Sequence, residues 1–500
     1  MKFYVCFSFM IVALLPFASS TSSIDKWCNA TPYPEPCKFF LSHTPPTKIP
    51  TSNSEFRKMA IELASQRAQT AHNHTKLLEP KCRNQKEKSA WLDCMTLYED
   101  TVHQLNKTLQ KGTDFDVQTW LSAALSNLEA CRNGFRDLGV DDYVLPLMSN
   151  NVTKLISNTL ALGEKNASSF PPHTYKDGFP DWVTASNRKL LASSSTAANL
   201  VVAQDGTGNH RTIGEAVAAA GKSSGTGTFV IHIKKGVYKE NIEVSAKNIM
   251  FVGDGMGVTI ITGSRSVNGG YTTFRSATVA VTGGGFIAKD ITIRNTAGAQ
   301  NHQAVALRSG SDLSVFYRCS IEGYQDTLYV FSQRQFYRDC NIYGTVDFIF
   351  GNAAAVLQNC MIYARTPLSN QKNTVTAQGR TDPNQNTGIS IINSKVMTSW
   401  KTYLGRPWKE YSRTVFMETY LGSMVDPAGW MEWSGNFALN TLFYGEYMNT
   451  GPGAGTSGRV KWKGFKVITS ATEASKYTVS SFIAGQSWLP ATGVPYSAGL

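Results

Sequence analysis

Beyond residues 1–20 this 500-residue chain has no apolar run long enough to cross a bilayer. It has no Cys-x-x-Cys and no tight cluster of cysteine and histidine, which leaves a metal site without its usual ligands. There is no Gly-x-Ser-x-Gly turn, so a serine nucleophile elbow is excluded. No RNA- or DNA-binding motif is present either. After residue 191 there is no N-x-S/T sequon and, apart from GEAVAAA near 214–220, no helical stretch of the kind that joins parallel strands in α/β folds. These absences exclude a membrane channel, a zinc module, a Ser-His hydrolase of the α/β type and a nucleotide-binding doubly wound sheet.

What is there begins with MKFYVCFSFMIVALLPFASS at residues 1–20. Lys2, an apolar run and then Ala18, Ser19 and Ser20 make a secretory signal peptide, so the chain is expected to be exported and soluble. Cys6 leaves with it. Eight cysteines remain: Cys28, Cys37, Cys82, Cys94, Cys131, Cys319, Cys340 and Cys360. An even number in an exported chain suggests disulfides, whose pairing spacing alone leaves open.

The remainder divides in two. Residues 24–165 carry apolar residues at three- and four-residue spacing in LASQRAQTAHNHTKLL, AWLDCMTLYEDTVHQLNKTL and VQTWLSAALSNLEACRNGF. With breaks expected at Gly112, Gly134 and Gly139, this reads as a small all-α bundle. Sequons lie at Asn29, Asn73, Asn106, Asn151 and Asn166, the first with Pro32 directly after its Thr31. Residues 166–198, rich in Ser, Pro, Ala and Asn, read as an exposed linker. Arg188-Lys189-Leu190-Leu191 within it is a dibasic site suited to proteolysis.

From 199 to 490 the pattern is short runs rich in Val, Ile, Thr and Tyr, divided by Gly, Asn and Asp. FYRCSIEGYQD at 316–326 and FYRDCNIYGTVD at 336–347 can be laid on each other, ending in Asp326 and Asp347, 21 residues apart. A repeat near this period predicts an all-β domain, a right-handed parallel β-helix. Matching positions on adjacent coils sit about 4.8 Å apart. The two carboxylates then face each other, which raises one partner's pKa and suits a nucleophile beside a general acid. The plainer alternative is two turn-terminal aspartates. Gln303, 23 residues before Asp326, extends the column, while Gln325 needs a local bend to reach the same side. Arg406 and Trp408 share one face of an extended segment, the first suited to holding a carboxylate, the second to stacking on a sugar ring. Cys340 and Cys360, 20 residues apart, are placed to bridge neighbouring coils, which would leave Cys319 free. Residues 192–500 carry 27 Lys and Arg against 18 Asp and Glu, a surplus of nine, so a polyanion is the expected partner. In an exported protein an acidic polysaccharide fits better than nucleic acid.

GVYKE at 236–240, QAVAL at 303–307, QDTLY at 325–329, DFIFGNA at 347–353 and LGRPW at 404–408, with GWMEW at 429–433 and YGEY at 444–447, resemble the motif set of plant pectin methylesterases (pectinesterases). The first half resembles the pectin methylesterase inhibitor family, a four-helix bundle that forms the pro-region of many such enzymes. The resemblance implies hydrolysis of the methyl esters of galacturonate in pectin, in the plant cell wall, with no cofactor and no metal. By residue it implies Asp347 as nucleophile, Asp326 as general acid then base, and Gln303 and Gln325 as oxyanion donors. Arg406 would hold Asp347 and bind substrate with Trp408, and Thr273 would contact substrate. In the first half it implies the pairs Cys28–Cys37 and Cys94–Cys131, with Cys82 extra. It also implies processing by a protease near 188–191 and inhibitor proteins as partners. One segment departs from the pattern: SKVMTSWKT, between Asn393 and Tyr403, is shorter than usual and is expected to alter the cleft wall. The competing readings are a glycosidase or lyase on the same polymer, which would also use paired carboxylates, and a non-catalytic wall protein.

Overall fold

The computed structural model describes residues 18–43, 49–110, 112–143, 150–163, 198–222 and 227–500. Most of the signal stretch, Asn166 and the dibasic segment at 188–191 lie outside the described residues.

The first half is helical. Helices α1 (Ala18–Asn29) and α2 (Pro34–His43) form a hairpin tied by the Cys28–Cys37 disulfide. Helices α3 (Asn53–Lys76), α4 (Gln85–Thr108), α5 (Asp114–Asp137) and α6 (Val152–Ala161) pack around a shared apolar core. The starts of α3 to α5 are written locally. Ser52, Asn84 and Thr113 each accept a hydrogen bond from the amide three residues on, and Asp116 closes a reciprocal capping box with Thr113. The Cys94–Cys131 disulfide joins α4 to α5. Gly134 does not break the helix as expected. It lies inside α5, where a Cβ would stand 4.0 Å from the Ala90 backbone and 3.4 Å from the Thr272 side chain. These are ordinary contact distances, and the packing of α5 in the helical core outweighs the glycine's poor helix propensity of about 1 kcal/mol.

From Leu200 onward the chain winds into a parallel β-helix with sheets of eleven, seven and eight strands. Coils stack in register, so identical interior positions form ladders. Ile293, Ile321 and Ile342 pair directly in one sheet, and Phe316 lies stacked on Tyr337 at 4.8 Å. The corner between the eleven- and eight-stranded sheets is turned by one left-handed residue per coil: Asp290, Arg318, Asp339, Asn359, Asn393, Glu418 and Met448. Four of the seven are Asp or Asn, the side chains that tolerate this conformation best. Helix α7 (Ile213–Ala220) closes the N-terminal end with Ile213, Ala216 and Ala220 in the β-helix core.

The proposed Cys340–Cys360 bridge is not formed: Cys319, Cys340 and Cys360 are all free and buried. They occupy one interior column, next to the register pairs Ser320–Asn341 and Asn341–Met361. In-register parallel strands hold side chains parallel at the strand spacing, whereas a disulfide needs Cβ atoms converging to about 3.8 Å. Instead each thiol faces a carbonyl of the preceding coil, as Cys340 Sγ does Phe316 O at 3.3 Å. Asn29, Asn73 and Asn106 are exposed and Asn151 is half-buried.

The helical half lies across the outer face of the seven-stranded sheet. Trp120 Nε1 donates to Asp312 Oδ2 at 3.1 Å, and Arg334 bridges Asp312 and Asp116 at 2.8 Å each. Burial raises the Asp312 pKa, but the Arg334 ion pair overrides this and holds it well below the usual carboxylate range.

Candidate active site

The seven-stranded sheet places successive coils side by side through Leu307–Ser309, Leu328–Val330, Ile349–Gly351 and Asn373–Gln378. Asp326 and Asp347 each precede one of these strands, with φ of 62° and 52°. So the turn reading of the two aspartates holds, and it does not compete with the functional one. The left-handed kink ends the preceding segment and also redirects the chain, which lets Gln325 and Asp326 open on the same space despite being neighbours. Such strain at a polar site is a recurring feature of functional centres.

Gln303, Gln325, Asp326, Asp347, Arg406, Trp408 and Thr273 all line one cavity of about 710 Å³. Arg406 donates from Nε to Asp347 Oδ1 at 2.8 Å and from Nη2 to Oδ2 at 2.7 Å, a bidentate fork. Thr374 Oγ1 donates to Asp347 Oδ1 at 2.6 Å and accepts the Asp347 amide at 2.8 Å. Asp326 is equally buried but has no such partner. Its pKa is pushed well up, first by burial, then by the charges of Asp347 and Asp137, with Arg406 opposing. Two like residues one coil apart therefore have unequal surroundings: Asp347 holds the Arg406 fork and the Thr374 hydroxyl, and Asp326 has a raised pKa and no such partner.

Gln325 Oε1 accepts from Gln371 Nε2 at 3.4 Å, which leaves its amide N–H groups free for the cavity. Tyr329, Phe350 and Trp408 form an aromatic wall, Trp408 standing edge-on to both at 6.5 and 5.8 Å. Trp433 lies 4.4 Å beneath the Arg406 guanidinium. Sequence reasoning missed Thr374, Gln371 and Trp433. Thr374 had a usable signal, because it stands one coil after Asp347 in the register that pairs Ile349 with Thr376. Trp433 lies in the quoted GWMEW motif, but its place under Arg406 needs the fold. The short 394–402 segment contributes nothing to the cavity lining, and Arg406 and Trp408 are in place without a longer loop.

The roof of the cavity belongs to the helical half. Ala130, Asn133, Arg136 and Asp137 of α5 line it. The Thr273 amide donates to Asp137 Oδ2 at 2.9 Å, and Lys409 Nζ donates to Glu129 and, at 3.2 Å, to Asn133.

Residues 199–486 match the family model Pectinesterase, more than half of the chain. The chain belongs to the pectinesterase family. Residues 22–162 of this pectinesterase match the model Plant invertase/pectin methylesterase inhibitor. Among its relatives, Pectinesterase 2 of Citrus sinensis is 62% identical over 97% of this chain and 96% of its own length. Probable pectinesterase/pectinesterase inhibitor 17 of Arabidopsis thaliana is 59% identical over 99% and 98%. The solved pectin methylesterase from carrot is 62% identical, with a TM-score of 0.60; it covers 62% of this chain and all of its own. The chain is thus a carboxylic ester hydrolase with an inhibitor-like N-terminal domain. No helix among the described residues is long and apolar enough to cross a membrane.

Proposed function

We propose that this chain hydrolyses the methyl esters of galacturonate units in pectin, giving pectate and methanol, through an aspartyl mechanism. The observation that carries the assignment of roles is the unequal setting of the aspartates: the Arg406 fork and Thr374 on Asp347, and burial with no counter-charge of its own at Asp326. An Asp347 carboxylate oxygen attacks the ester carbonyl carbon. The developing oxyanion accepts hydrogen bonds from the side-chain amides of Gln303 and Gln325. The bond to the methoxy oxygen breaks, and that oxygen takes the Asp326 proton to leave as methanol. The acid anhydride left on Asp347 is then attacked by water, which Asp326, now a carboxylate, deprotonates. Cleavage of the anhydride returns Asp347 to its fork with Arg406 and releases the galacturonate carboxylate. Trp408 and the aromatic wall hold the sugar, with Thr273 at the rim.

The helical half is an autoinhibitory pro-region in this reading. It roofs the cavity, and a polymer chain has no path past α5 while Asp137 and Lys409 hold their contacts. Export by the signal at 1–20, glycosylation in the helical half, cleavage near 188–191 and action in the cell wall complete the proposal. The domain limits 24–165 and 199–490 belong to it as well.

The test is methanol release from methylated pectin by a 192–500 fragment beside the intact chain. Methanol without shortening of the polymer is expected from the fragment, with little from the intact chain. Chain cutting without methanol would sink the esterase reading in favour of a glycosidase or lyase. Equal rates from both forms would refute the pro-region's role.

A further inference from the structure

The outer face of the seven-stranded sheet carries a buried guanidinium that the chemistry above does not use. Arg308 points outward from the seven-stranded sheet between Ala280 and Tyr329, one coil before Asp326 and two before Asp347. That places it about 10 Å along the helix axis from Asp347. It is 1% exposed, and its Nε and Nη1 are buried without an acceptor. Its guanidinium carbon lies 3.5 Å from the centre of the Phe274 ring. A buried guanidinium without hydrogen bonds is costly, and such groups need an explanation.

The explanation lies beside it. Asp93 of α4 reaches the residues on either side of the cavity-lining Thr273 and Phe274, where Oδ1 accepts from Arg275 Nε at 2.6 Å and Oδ2 accepts from Thr272 Oγ1. Asp93 is wholly buried. Glu243, 3.6 Å from Arg275, and Asp137, which feels the charge of Asp93, also face this point. Two arginines thus flank Phe274, one holding a carboxylate from the helical half and the other holding none. The donors, Thr272 and Arg275, belong to the β-helix, as does Arg308; the accepting carboxylate comes from the helical half. When the helical half leaves, Thr272 and Arg275 lose that acceptor, and Arg308, whose charge also acts on the same carboxylate, stands beside them.

We propose that Thr272, Arg275 and Arg308 form a carboxylate subsite of the cleft, occupied by Asp93 in the unprocessed chain and by a free galacturonate carboxylate of the polymer after processing. The proposal rests on the esterase reading above for the identity of the polymer. The subsite selects for an already de-esterified sugar a short way along the chain from the ester under attack. Methyl esters, being neutral, gain nothing from it. The inhibitory half thereby imitates the enzyme's own product at this position.

The carrot structure, whose whole chain corresponds to 62% of this one, shows that a β-helix of this family stands without a helical half. The experiment therefore uses the 192–500 fragment. Calorimetric titration with fully de-esterified hexagalacturonate is expected to show affinity falling about fivefold in Arg308→Gln and in Arg275→Gln, as for a partly screened ion pair. Arg308→Lys recovers part of the loss. In methanol-release assays the ratio of kcat/KM on half-esterified to fully esterified pectin, above one for the unsubstituted fragment, is expected to fall towards one in Arg308→Gln, with the change in KM. Equal loss on both substrates, or unchanged hexagalacturonate affinity, would overturn the subsite. A fragment that releases no methanol at all would instead refute the esterase reading, and the titration would still judge the subsite.

Discussion

Replacing Arg406 with Gln isolates the contribution of the fork. The substitution removes two charge-assisted hydrogen bonds and leaves Asp347 with Thr374 alone. The Asp347 side chain is 7% exposed and that of Arg406 22%. Breaking a fully buried ion pair costs about 3–5 kcal/mol, because the surviving charge is left unpaired. The partial exposure of Arg406 lets water take up some of that, so the expected loss is about 2–3 kcal/mol. For a domain of this size that lowers Tm by roughly 5 °C. Because the penalty lies in the orphaned charge, Asp347→Asn in the Arg406→Gln background removes it. The double variant is then expected to be more stable than the sum of the two singles by about 1–2 kcal/mol. Methanol release by Arg406→Gln is expected to fall about 10²-fold or more, since the oriented nucleophile is lost, with part of the activity regained in Arg406→Lys. Denaturant melts of the four 192–500 fragments at pH 7, beside initial rates, make the measurement. Strictly additive stabilities, or a rate within twofold of the unsubstituted fragment, would refute the account of a charge held by a fork.

Gln325→Ala and Gln303→Ala are each expected to lower kcat by about 10²–10³ with the fold intact, read by methanol release and circular dichroism. Asp326 has its pKa raised chiefly by burial and by Asp347. The first step needs it protonated, so the rate of methanol release in a single turnover should fall as pH rises through that raised value, and Asp326→Asn should abolish turnover. Docking of the helical half should also depend on pH. Burial raises the pKa of both Asp93 and Asp137 at the interface, Arg275 opposing at Asp93 and the Thr273 hydrogen bonds at Asp137. Groups whose pKa is raised on docking stabilise the docked state fully below their ordinary value near 4, and that stability is lost as pH rises through the raised values. The intact chain should therefore show more proteolysis between the halves and more esterase activity at neutral than at mildly acidic pH. No change across that range would count against the interface described. Thr113→Ala removes the capping box of α5 and should cost about 1 kcal/mol in the melting of the helical half, measurable as a drop in its unfolding midpoint.

The sequence by itself determined much of this protein, because its information is periodic. A β-helix repeats one environment every coil, so the match of FYRCSIEGYQD to FYRDCNIYGTVD placed Asp326 beside Asp347 without any other knowledge. Apolar spacing located α3, α4 and α5 in the same local way, and their starts carry local caps at Ser52, Asn84 and Thr113. What periodicity cannot carry is the direction in which side chains of equal register point, or what a distant segment brings. Cys340 and Cys360 have the spacing of a bridge, but parallel register keeps their thiols from converging. Gly134 has the composition of a helix break, but the packing of α5 into the helical core keeps the turn helical. The pair of aspartates is equal in sequence and unequal in space. Only the tertiary structure sets Arg406 and Thr374 on one and leaves the other without a cation, and only it lays α4 and α5 over the cleft with Asp93 against Arg275. The physical reason is that electrostatic energies depend on through-space distance and burial, which residues hundreds of positions apart decide together.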